Sequence, residues 1–124
     1  MDATDESHSD KTLTRLRTAL RAAMRHRDRA AVSGLRSAMA AIANAEAVNI
    51  TGAPPAGAIE TSPVGVGSTE VARRMLTHAD VHAILETEVA EREQAAEGYA
   101  SRGSQDQADR LRAEATAIRD ALAS

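Results

Sequence analysis

At 124 residues the chain has the length of one domain, and its 43% apolar and 27% charged residues exclude wholesale disorder. It contains no cysteine, which excludes disulfides, thiolate metal sites and a cysteine nucleophile; it contains no Phe or Trp, and Tyr99 is its only Tyr, so no aromatic platform is available to stack bases. The net charge of −3 hides an asymmetry, because residues 11–50 hold eight Lys/Arg against only Asp28 and Glu46, while the segments on either side are acidic.

Such a basic segment faces either nucleic acid or the acidic C-terminal half, and internal pairing is the first expectation because helix bundles pair complementary faces. Alanine is the commonest residue and the best helix former, so composition leans all-α. Large apolar side chains are few. The core is therefore expected to be thin, and a homo-oligomer or a protein partner would cover what it leaves exposed. The start, Met1-Asp2-Ala3-Thr4-Asp5-Glu6, is acidic and lacks the apolar stretch of a secretion signal. No run approaches the ~18 apolar residues of a membrane span. The expectation is a cytoplasmic protein with no membrane contact.

In chain order, residues 1–9 read as a disordered acidic tail and residues 10–124 as one helical domain. The first helix starts near Asp10, with Leu13, Leu16, Leu20 and Met24 as its apolar stripe. Residues 25–29, Arg-His-Arg-Asp-Arg, read as a turn in which Asp28 caps the second helix. That helix runs from about Arg29 to Val48 on a stripe of Val32, Leu35, Met39 and Ile42, and Gly34 allows another helix to approach closely. Residues 50–69 contain Gly52, Pro54, Pro55, Gly57, Pro63, Gly65 and Gly67, so the spacing predicts a long flexible loop there. A capping box at Thr77-His78-Ala79-Asp80 opens the third helix, with Val81, Leu85, Val89, Arg92, Ala96 and Tyr99 on its seam and Gly103 at its end. A second capping box, Ser104-Gln105-Asp106-Gln107, starts the fourth helix on Ala108, Leu111, Ala115, Ile118 and Leu122. Tight joints make neighbours antiparallel. The predicted architecture is a small antiparallel bundle of about four helices.

Three constellations bear on function. His78 and His82 stand four apart, a spacing that suits zinc, but no HExxH pattern and no cysteine complete the set, so no metal site is expected. Arg17, Arg21 and Arg25 recur every four residues along one face, spaced to follow phosphates or to pair with an acidic row of Glu86, Glu93 and Glu97. Arg92 interrupts an apolar seam with Glu88 one turn earlier, and a charge there must be either paired, as in an ion pair with Glu114, or exposed. There is no phosphate-binding glycine loop and no nucleophile elbow, so no catalytic residue and no cofactor are expected.

Ala22-Ala23-Met24-Arg25-His26-Arg27-Asp28, then Leu35-Arg36, then Ala41-Ile42-Ala43-Asn44-Ala45-Glu46 are similar to the N-terminal signature of the GatB/YqeY family, which reads AMKxRD, LR and AIKNAE in that order. Leu76-Thr77, Asp80-Val81, Glu88-Val89, Glu91-Arg92 and Tyr99, followed by Gly103, Asp106, Ala108 and Glu114, resemble the family's later blocks. The departures are a longer loop before the third helix, Gln107 in place of Leu, and an end at Ser124 where the family continues into a second, smaller helical domain. The resemblance implies a YqeY-like helical module whose partners are tRNA or an amidotransferase-type protein. At family level it carries the label of a carbon–nitrogen ligase using glutamine as amido donor, whose chemistry lies in a domain with no counterpart here. The candidates for RNA or partner contact are the basic residues Arg17, Arg21, Arg25 and Arg36, while the family-motif residues Asp28, Arg36, Asn44, Glu46, Glu88, Arg92, Tyr99 and Glu114 are expected to be structural. The alternative is a protein–protein or homo-oligomerisation module unrelated to tRNA.

Overall fold

The computed structural model describes residues 3–51 and 75–123, with side-chain environments over 8–47 and 75–123. These residues form four helices: α1 (Ala3–Arg25), α2 (Arg29–Thr51), α3 (His78–Ser101) and α4 (Gln105–Ala123). Among the described residues there is no strand. The expected 50–69 loop lies outside the described residues, apart from the last residues of α2.

Both short joints are built on one plan. At the end of α1, Asp28 N–H donates to the Ala23 carbonyl at 2.9 Å and Arg27 N–H to the Met24 carbonyl at 3.2 Å. At the end of α3, Ser104 N–H donates to the Tyr99 carbonyl at 2.9 Å and Gly103 N–H to the Ala100 carbonyl at 3.1 Å. Each is a Schellman closure, which satisfies carbonyls that a helix end would otherwise leave unpaired. The closure needs a left-handed residue. Gly103 supplies it at φ 84°, and Arg27 supplies it at φ 55° at the steric cost of a Cβ.

The caps explain where the next helices start. The Asp28 carboxylate accepts from Ala31 N–H at 3.1 Å, and the Asp28 carbonyl accepts from Val32 N–H. The capping box opening α3 is present in both directions. Asp80 N–H donates to Thr77 Oγ1 and Thr77 N–H to Asp80 Oδ2, each at 3.0 Å. α4 begins at the Ser104 carbonyl, which accepts from Ala108 N–H at 3.1 Å. The reciprocal side-chain bonds expected over Ser104–Gln107 are not part of this joint.

α1 starts at Ala3 rather than near Asp10, so residues 3–9 are helical instead of a disordered tail. The reason is packing: Ser9 and Thr12 are buried, Thr12 Oγ1 donates to the His8 carbonyl at 3.1 Å, and the His8 ring lies 5.3 Å from that of His78 on α3. The buried line of α1 is thus Ser9, Thr12, Leu16 and Ala23. Met24, expected on the stripe, is 51% exposed.

The core gathers Leu16, Leu35, Ile42, Val81, Leu85 and Ile118, with Ala38, Ala115 and Ala121 between them. Each fully buried large aliphatic chain contributes about 1.5–3 kcal/mol. The small residues instead let backbones come close. A Cβ added at Gly34 would stand 2.8 Å from the Glu114 carbonyl oxygen, so α2 and α4 touch through the glycine.

Candidate functional site

Arg92 is the best-held charged group among the described residues. Its Nε donates to Glu114 Oε1 at 3.0 Å and its Nη1 to Glu88 Oε1 at 2.9 Å and to the Glu88 carbonyl at 3.1 Å. Ser37 Oγ of α2 donates to the same Glu88 oxygen at 3.2 Å. Glu114, the partner expected for Arg92, and Glu88 one turn earlier are therefore engaged at once. Ser37, which carries no signal in the sequence, ties α2 to the pair. The group is largely buried, with Glu114 8% exposed. A desolvated guanidinium between two carboxylates fixes the mutual placement of α2, α3 and α4, and no nucleophile stands beside it.

Arg17, Arg21 and Arg25 lie exposed on α1, and none of them makes an ion pair among the described residues. The expected internal pairing with Glu86, Glu93 and Glu97 is not formed. The acidic row sits on the outward face of α3, where Glu93 bonds Arg119 of α4, and its other members stay exposed. α3 meets the core with Val81, Leu85 and Val89, which turns its glutamates away from α1. Arg36 is likewise exposed, on α2.

Of the other residues anticipated to be structural, Asp28 caps α2 and Asn44 is exposed. Glu46 is half-buried beside Leu13, Ile42 and Leu76. Tyr99 lends its carbonyl to the α3 closure and lies 5.2 Å beneath the Arg102 guanidinium, a cation–π distance. His8, His78 and His82 pack ring against ring, with His78 and His82 centroids 4.5 Å apart. Among the described residues no group of three or more His, Asp or Glu is arranged to hold a metal ion.

Periodicity gave no hint of an open groove of about 820 Å³ between α1, α2 and α4. Ala19, Ala22, Ala31 and Ala117 give it an apolar floor, and its charged rim holds Arg15 of α1, His26 and Asp28 of the joint after α1, and Asp120 of α4. It arises because those positions carry alanine and threonine where larger side chains would have filled the space. The basic row and this groove share the α1 surface: Thr14 and Thr18 line the groove, and Arg21 and Arg25 continue the same helical face at spacings of three and four.

No helix among the described residues is long and apolar enough to cross a membrane. No family model matches the chain, and no curated protein or solved structure is significantly similar to it.

Proposed function

We propose that this chain is a noncatalytic, YqeY-like helical module that binds structured RNA of the tRNA class through the basic face of α1. The observation that carries the proposal is that Arg17, Arg21 and Arg25 stand exposed without a carboxylate partner, although the chain contains a matching acidic row. Evenly spaced cations with no internal partner are available to phosphates, and neutralising phosphates releases counterions. Without aromatic stacking residues, recognition rests on backbone geometry and shape rather than base sequence.

The test is fluorescence anisotropy with tRNA at two salt concentrations, with duplex DNA of similar charge as control. Changing Arg17, Arg21 and Arg25 together to Ala weakens binding and lowers the slope of log K against log salt by about 2–3, the loss of three phosphate contacts. Unchanged affinity and slope in that variant refute the basic-face mechanism. A second reading, in which an amidotransferase-type or other protein is the partner, is favoured by the groove beside the same helix.

A further inference from the structure

The groove, with Arg15 on its α1 side, and the glutamates Glu93 and Glu97 of α3 flank α4 on its two sides. Thr116 marks the continuity: it lines the groove on one side and, on the other, the shallow valley formed with Glu93, Glu97, Arg112 and Arg119. Crossing the face, one meets the acidic edge of α3, then α4, then the alanine-floored groove, then the basic edge of α1. Lys11, Arg15, Arg21 and Arg25 are exposed on the basic edge, and Glu86 and Glu97 on the acidic one. None of these six residues makes an ion pair among the described residues.

A face that is acidic along one edge and basic along the opposite edge is complementary to itself. A two-fold axis running parallel to α4 places the acidic edge of one copy over the basic edge of the other, and does so twice. We infer that the groove is the docking site of a second copy of this chain, with the outer ridge of α4 from each copy lying in the groove of the other and Glu86 and Glu97 set against Arg21 and Arg25 across the axis. The ridge fits the space. Its outward residues Ala113 and Thr116 are small and exposed, and the floor it meets is Ala19, Ala22 and Ala31. Small residues on both sides allow helix axes to approach at the short end of the ordinary 8–10 Å range. The charge pattern that the sequence led one to expect as an internal pairing is then satisfied between copies. The inference does not rest on RNA binding. It uses the same basic edge, so dimer and RNA would exclude one another there.

Sedimentation velocity on the full chain at low salt, from micromolar to millimolar concentration, tests it. The wild type is expected to shift from monomer to dimer as concentration rises and to return toward monomer in high salt. Arg21→Glu/Arg25→Glu and Glu86→Lys/Glu97→Lys each place like charges at both edges, and each alone is expected to dimerise at least about tenfold more weakly. Mixed in equal amounts, the two variants present opposite edges again and should recover a one-to-one heterodimer of wild-type affinity. A wild type that stays monomeric throughout, variants that dimerise as well as the wild type, or a mixture that does not recover would each overturn the inference. Arg17→Ala leaves Arg21, Arg25, Glu86 and Glu97 in place, so its tRNA affinity reports on the RNA proposal separately from dimerisation.

Discussion

Gly34 and Gly98 sit in helices, yet the structure assigns the same substitution opposite signs at the two positions. Placing alanine in a helix interior gains about 1 kcal/mol over glycine, largely by reducing the freedom of the unfolded chain. At Gly98 the nearest atom to a new Cβ is Arg102 Nη1 at 3.4 Å, the far end of a flexible side chain, so most of that gain survives. At Gly34 the new Cβ meets the Glu114 carbonyl oxygen at 2.8 Å and the Glu114 Cα at 3.1 Å, both backbone atoms that move only if α4 moves. Overpacking of this kind costs about 1–3 kcal/mol. Displacing α4 also draws Glu114 away from Arg92, where the bond is 3.0 Å. The upper part of the range therefore applies. The expected net effect is a destabilisation of about 1–2 kcal/mol for Gly34→Ala and a stabilisation of about 0.5–1 kcal/mol for Gly98→Ala. Thermal melts followed by far-ultraviolet circular dichroism should show Tm falling by roughly 4–8 °C in the first and rising by roughly 2–4 °C in the second. If Gly34→Ala raises Tm as Gly98→Ala does, α2 and α4 do not touch through this residue and the account of the bundle is wrong.

Arg27→Gly should stabilise the protein by about 0.5–1 kcal/mol in urea titration, because the left-handed residue closing α1 then carries no Cβ; a loss of stability would mean the arginine side chain holds the joint. Arg92→Lys should cost about 2–4 kcal/mol, since an ammonium cannot reproduce two directed bonds from Nε and Nη1 to separate carboxylates, and a near-neutral result would show that the pair is solvated.

Helix existence and type were legible in the sequence because the stripes on α2, α3 and α4 are regular and because Asp28, Thr77 and Gly103 mark ends by local chemistry. The start of α1 was not legible. Residues 3–9 lack large apolar side chains, and their helix is held by Ser9 and Thr12 packing and by the His8–His78 contact, which lies in tertiary structure. Met24 and Ala23 illustrate the same limit, since hydrophobicity pointed to the methionine while the close approach of helices buries the alanine. The carboxylate need of Arg92 could be read from its seam position, but Ser37 could not, since its partner is 51 residues away. The charge rows on α1 and α3 were plain. Their lack of mutual pairing was not, because rotation of a helix about its own axis is decided by which apolar face wins the core. The groove is a property of what is missing, three helices lined with alanine, and no periodicity announces it.

The matching joints divide the work of folding into two kinds. Each hairpin closes over a three-residue turn with bonds between near neighbours, so α1–α2 and α3–α4 can each form as local units. What unites them is long-range: Ser37 to Glu88, and the touch of Gly34 on Glu114. Contacts of that separation carry the loop-closure entropy and limit the rate. The docking of two preformed hairpins is therefore expected to be the slow event, and the step at which the largely buried Arg92 group selects one registry of the hairpins over any slipped alternative.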